Sequence, residues 1–159
     1  MYIPKHFSEN ELNTLHTFMQ QYPLALLVTH QEGSLVGNHF PLILDPTQGP
    51  YGALMGHMAR GNTQWRTFDE SQEVLVVFQG PQSYVSASWY EHPYANVPTW
   101  NYTAIHAYGQ PTLIDNTKDL LELLAVQTQH KIKHVRSSRT KAYLSIIKSV
   151  ECEMQGGED

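Results

Sequence analysis

Five apolar residues in an unbroken row, Val74-Leu75-Val76-Val77-Phe78, leave no polar face for water. They predict a strand covered on both sides, at the centre of a sheet. Other apolar runs accompany it. Leu24 to Thr29 is bounded by Pro23 and by the polar turn Gln31-Glu32-Gly33-Ser34, and Leu35 to Leu44 reads as its hairpin partner. Pro41 cannot donate to a ladder, so that partner is expected to be an edge there or to carry a bulge. Tyr51 to Met58 and Thr99 to Gln110 read as further strands, and Val150, Cys152 and Met154 alternate with Glu151 and Glu153 as a final one. Gly80-Pro81 is read as a turn. Beyond it Tyr84, Ser86 and Ser88 alternate with Val85, Ala87 and Trp89, a strand with a hydroxyl-bearing face.

Helical signals are few. Ser8 and Glu11 have capping-box spacing ahead of Leu12, Leu15, Phe18 and Met19. Asn62 is a good N-cap for a short helix carrying Trp65 and Phe68, and Asp115 or Asn116 caps a helix whose Leu120, Leu121, Leu123 and Leu124 form a broad apolar face over one barrel end. About seven strands without regular helix alternation argue against a doubly wound sheet and for an α+β antiparallel barrel. A chain of 159 residues suits one domain, taken as 1–154 with 155–159 as a loose tail.

No stretch approaches the roughly 18 apolar residues of a membrane span, and the start lacks a signal-peptide core, so a cytoplasmic protein is expected. The single cysteine, Cys152, excludes an internal disulfide and reads as a small core residue. Nine histidines lack metal-type pairing, so no metal site is expected. The formal charge of −5 makes a poor match for a nucleic-acid backbone. Six of the ten basic residues, Lys131, Lys133, Arg136, Arg139, Lys141 and Lys148, nevertheless crowd one segment, so direct DNA contact stays a possibility without positive support.

The chemistry is expected between Leu54 and Trp65, where an apolar strand runs into Gly56-His57-Met58-Ala59-Arg60-Gly61-Asn62. A helix start beside Arg60 would make an anion seat, from backbone N–H groups, the helix dipole and a forked guanidinium; the plainer alternative is an arginine on solvent. Asn38 and His39 either line a cavity or face water. The aromatic residues at 84, 89, 90, 94, 100 and 102 suit three roles, to sandwich a planar ring, to fill a core or to build a dimer interface. The loop from Glu91 to Pro98 has the length of an active-site border. His57, His92 and His106 are candidate proton donors only by proximity to motifs, so no catalytic residue is assigned. Dinucleotide, Walker and nucleophile-elbow motifs are absent.

Met1-Tyr2-Ile3-Pro4-Lys5-His6-Phe7, the 56–62 motif with Gln64-Trp65, Phe78-Gln79-Gly80-Pro81, Tyr84 to Tyr90, and Val97-Pro98-Thr99-Trp100-Asn101-Tyr102 with His106-Ala107-Tyr108-Gly109 together resemble the PaiB-type FMN-binding negative transcriptional regulators. The match runs in order to about residue 125. The resemblance implies the split-barrel flavin fold shared with the pyridoxamine phosphate oxidases, and a homodimer holding FMN at the subunit boundary. Carried over by position, Arg60 takes the phosphate with His57, Ala59 and Asn62 around it. Ser86, Ser88 and Trp89 approach the phosphate or the isoalloxazine, and Trp100, Asn101 and Tyr102 close the site. Such donors and flat walls suit a phosphorylated flavin.

Members usually continue into a segment with a Lys-x-Ser-Gln-like motif, whereas this sequence runs to Gly156-Gly157-Glu158-Asp159, and 129–141 match weakly. Three functions compete: a flavin-binding regulator without turnover, an FMN-dependent oxidoreductase acting on a small substrate, and a structural dimer without cofactor.

Overall fold

The computed structural model describes residues 2–68, 72–114, 116–131, 142–147 and 151–155. Its strands are β1 (Ser8–Glu9), β2 (Leu24–Gln31), β3 (Ser34–Asp45), β4 (Ala53–Ala59), β5 (Val74–Val85), β6 (Thr99–Gly109), β7 (Pro111–Ile114), β8 (Ala142–Ile147) and β9 (Glu151–Gln155). All pairings are antiparallel, in the order β1-β9-β6-β5-β2-β3-β4-β8-β7. The arrangement is the expected α+β split barrel, with two described strands more than the seven expected. β7 and β8 supply much of that difference. The apolar run Ala142-Tyr143-Leu144-Ser145-Ile146-Ile147 lies inside the stretch whose lysines and arginines dominated its reading, and it fills the place between β4 and β7.

Two corners fold the sheet on itself. Residues of β3 up to Pro41 pair with β2, and from Leu42 onward with β4. Pro41 thus stands where the strand changes partners and one neighbour is lost, so its missing N–H breaks no ladder. The next N–H, of Leu42, donates to the carbonyl of Pro23 at 2.9 Å. At the second corner β6 passes through Gln110 into β7, which pairs with β8. Glu32 and Gly33 both have positive φ (48° and 83°), the backbone of a two-residue type I′ hairpin joining Gln31 to Ser34.

β5 lies between β2 and β6, as its unbroken apolar row requires. Ala25, Phe78 and Ile105 stand in one cross-strand row, each fully buried. The core continues through Leu27, Val76, Leu54 and Met58 and is closed by Leu15 and Met19 of helix α1 (Leu12–Gln21). The expected capping box does not form. Ser8 pairs with Gln155 in the sheet and its hydroxyl donates to Lys5 O, while the Glu9 carboxylate accepts from Glu11 N, so the helix starts at Glu11 without a side-chain cap. Helix α2 (Thr117–Lys131) packs on β8 and is capped by Asn116, which accepts from Asp119 N and donates to the Asp119 carboxylate. Its apolar face is narrower than expected: Leu123 is buried and Leu120 and Leu124 half-buried, but Leu121 is 61% exposed because it points off the i, i+3, i+4 stripe.

The remaining differences have local causes. β5 does not turn at Gly80-Pro81; it runs through a bulge between Gln79 and Gln82, since the extra residue absorbs the proline that cannot pair. β5 then stops at Val85, where the Ser86 hydroxyl accepts from Ser88 N and starts a 3₁₀ turn over Ala87–Trp89 instead of the expected strand. Gln155 belongs to β9 and not to a tail. Most of the basic segment, residues 156–159, and the side chain of Cys152 lie outside the described residues.

At the far end of β3 the Asp45 carboxylate accepts from Thr47 N (2.9 Å), from Thr47 Oγ1 (2.7 Å) and from Gln48 Nε2 (2.8 Å). These bonds, the Thr47 hydroxyl first, hold its pKa below the usual aspartate value. A depressed folded pKa adds stability above the unfolded value, which disappears as pH falls through the folded one. Asp45→Asn should therefore lower the thermal midpoint near neutrality by about 1 °C, the solvent-accessible site keeping the effect small, and the gap to wild type should close in acid as the carboxylate is protonated. A gap unchanged from pH 7 to pH 2 would remove the charge from the explanation.

Candidate functional site

The bend after β4 is held from three directions. Asn62 N donates to Ala59 O at 2.9 Å, closing the turn that carries Arg60 and Gly61. The Asn62 side chain then accepts from Gln64 N, which caps a 3₁₀ helix over Thr63–Thr67. Trp65 Nε1 donates to Arg60 O at 3.4 Å. The arginine backbone is therefore fixed and its side chain is exposed. The expected helix-dipole contribution is not present, because five residues of 3₁₀ helix align too few peptide units for a macrodipole. The exposed guanidinium is what this bend would offer an anion.

Beneath it lies a residue whose role the sequence reading missed. Gln64 is 1% exposed and its Nε2 donates to Leu27 O (3.2 Å), Thr29 Oγ1 (3.1 Å) and Val36 O (3.1 Å). Its Oε1 accepts from Asn38 Nδ2 at 3.0 Å. Asn38 thus serves this network rather than solvent. A glutamine between a cap and a tryptophan was the available signal, and it pointed to no partner.

A second group gathers at the outer ends of β5 and β6. Gln82 stands opposite Tyr102 and Tyr84 opposite Trp100, so these four share a face, with the Tyr84 and Trp100 rings 5.9 Å apart. A cleft of about 310 Å³ lies beside them, lined by Gln79, Gly80, Gln82, Trp100, Tyr102 and Thr103. The bulge is what brings both glutamines to it. Thr103 Oγ1 donates to Pro81 O, and a Cβ at Gly80 would sit 2.5 Å from Thr103 Oγ1 and 2.6 Å from Phe18 Cε2, so glycine is required where the strand buckles. Asn101 alternates to the opposite face from Trp100 and Tyr102. The Ser86 and Ser88 hydroxyls bond each other at 2.8 Å in the adjoining turn, with Trp89 69% exposed.

The sequence-predicted residues therefore form two clusters. His57, half-buried in β4, with Ala59, Arg60 and Asn62 make one; Ser86, Ser88, Trp89, Trp100 and Tyr102 make the other. Between β4 and β5 the sheet order places β3 and β2. Among the described residues no group of three or more metal-ligating side chains occurs, and no described helix is long and apolar enough to cross a membrane.

A family described as "Putative FMN-binding domain" matches residues 1–151. The chain is 40% identical over 134 residues to protease synthase and sporulation protein PAI 2 of Bacillus subtilis, covering 84% of this chain and 63% of that protein, so it spans less than two thirds of that relative. It is 29% identical over 153 residues to the uncharacterized protein YKL070W of Saccharomyces cerevisiae, covering 82% of this chain and 90% of the other. Among solved structures, the flavocytochrome Anf3 from Azotobacter vinelandii superposes with a TM-score of 0.75 at 11% identity, over 99% of this chain and 73% of that one. An FAD and heme binding protein from Mycobacterium smegmatis gives 0.70 at 15% identity, over 96% and 74%. At such identities the structural likeness is one of fold.

Proposed function

This chain belongs to the family of FMN-binding domains, and from that premise we propose that it is a cytoplasmic regulator of the PaiB type that grips the phosphate of FMN with Arg60 and completes the site across a homodimer. The observation that carries this reading is the exposed guanidinium on a backbone tied down by Asn62, Gln64 and Trp65. A phosphate dianion needs charge-assisted donors whose position costs little to maintain, and a pinned arginine beside the Asn62 amide meets that need. His57 and Ala59 shape the strand end beneath it. The flat part of the cofactor calls for aromatic walls with a few polar groups, the character of the face formed by Tyr84, Trp100 and Tyr102 with Gln79 and Gln82 in the adjoining cleft. Ser86, Ser88 and Trp89 border that face, and Asn101 supports it from behind.

The separation of the two clusters by β2 and β3 supports the dimer: one copy supplies the arginine bend and its twin the aromatic face. Trp89, Tyr94, Val97 and Trp100, all more than half exposed, give that face the composition of an interface centre. FMN when bound supplies a redox-active ring, while the residues of this chain bind it, orient it and exclude water from one side. Direct contact with DNA has no support in the acidic charge balance, so regulation is proposed to act through a partner or through the flavin state.

The test is binding of FMN and riboflavin to the purified protein and to Arg60→Ala. Losing charge-assisted bonds should weaken FMN by roughly 10–100-fold and leave riboflavin within about threefold, because only FMN carries the phosphate. Equal losses for both ligands would show that Arg60 does not hold the phosphate. A flavin-loaded protein sedimenting at one chain's 18.1 kDa would overturn the shared site.

A further inference from the structure

A larger cleft is lined by residues that belong to neither cluster. Its volume is about 570 Å³, and it is lined by His30, Gln31 and Glu32 of the β2–β3 hairpin and by Thr63, Arg66, Thr67 and Gln72 on the side of the 3₁₀ helix. None of these residues is used in the flavin reading. We propose that this cleft binds a small zwitterionic metabolite of the free α-amino acid type, its carboxylate on the helix wall and its ammonium on the hairpin wall.

Four observations carry this. The volume falls within the roughly 300–1,000 Å³ range of small-molecule sites. The helix wall carries a cation: Thr63 and Arg66 stand one 3₁₀ turn apart and share a face, and Arg66 lies over the Trp65 ring at 5.5 Å, which orients the guanidinium, while the Thr67 hydroxyl is already donated to Gln64 O. The hairpin wall ends in Glu32, held at the turn tip with φ of 48°. One positive and one negative wall match a ligand that carries both charges, and disfavour a plain anion or a plain cation, which would face its own sign. Finally, the walls are locked together. Gln64, between Thr63 and Arg66 in sequence, bonds Leu27 and Thr29 of β2 and Val36 of β3, so the gap between helix and hairpin is set before any ligand arrives.

The experiment is a thermal-shift and calorimetric titration of the full chain, without added flavin, against each of the twenty standard L-amino acids at up to about 10 mM. For any that binds, its methyl ester and its N-acetyl form follow. At least one amino acid should raise the midpoint saturably by a few degrees, and each blocked form should bind at least tenfold more weakly. Arg66→Met, which keeps an apolar chain over Trp65, and Glu32→Gln should each weaken the amino acid at least tenfold. Both positions are exposed, and the unliganded midpoints should match wild type within about 2 °C. Silence across all twenty amino acids overturns the proposal. So does undiminished binding by a blocked form or by either variant.

Discussion

Gln64→Leu should lower the thermal midpoint by roughly 10 °C, a loss of about 3–5 kcal/mol, although leucine fills nearly the same volume. The wild-type amide is buried and satisfies acceptors on two strands and one hydroxyl while receiving the Asn38 amide. Leucine removes the donor that Leu27 O and Thr29 Oγ1 receive in the buried interior, and leaves the half-buried Asn38 amide without its acceptor. Gln64→Glu separates this account from simple packing. It preserves shape but points a carboxylate at three oxygens, so at pH 7 it should be at least as damaging as leucine, and it should recover in part as acid protonates it. A Gln64→Glu protein with wild-type stability at pH 7 would show that the donor side of the amide does not hold the strands. Both variants should also loosen FMN, because the Arg60 bend depends on the same residue.

Phe78→Ala should cost about 3–5 kcal/mol, the largest loss expected from any single truncation in the core. Phe78 is 0% exposed in the middle of β5, with Ala25 on one neighbouring strand and Ile105 on the other. Removing the ring leaves a cavity between the Ala25 and Ile105 side chains, whose strands are hydrogen-bonded to β5 and cannot move inward to fill it. Phe78→Leu keeps most of the volume and should cost only about 1–2 kcal/mol. Urea unfolding reads both, as a lower midpoint at unchanged slope. Similar midpoints for the two variants would mean that the site collapses after all, and that strand rigidity does not set the cost.

Much of the architecture was legible in the order of residues. The row from Val74 to Phe78 demanded a central strand, the polar turn Gln31-Glu32-Gly33-Ser34 announced a hairpin, and Asn62 marked the start of a short helix. Each is a short-range preference, decided by side chains within a few positions, and each survived folding. The arginine bend was legible for the same reason, since its glycine, cap and tryptophan lie within six residues of it.

What failed to show in one dimension was everything that needed a distant partner. Ala142 to Ile147 became a strand because β4 and β7 left a gap for it, against the basic residues on either side. Pro41 became a corner because β3 changes neighbours there, and Gly80-Pro81 a bulge because β6 keeps pairing on both sides of it. Gln64 could be seen as polar and central, but its acceptors come from residues 27, 29 and 36, brought to it only by the hairpin. Local backbone preference is written residue by residue, whereas pairing register and the satisfaction of buried polar groups belong to contacts between segments far apart in the chain. The tertiary structure alone could therefore place Arg60 and the aromatic face two strands apart.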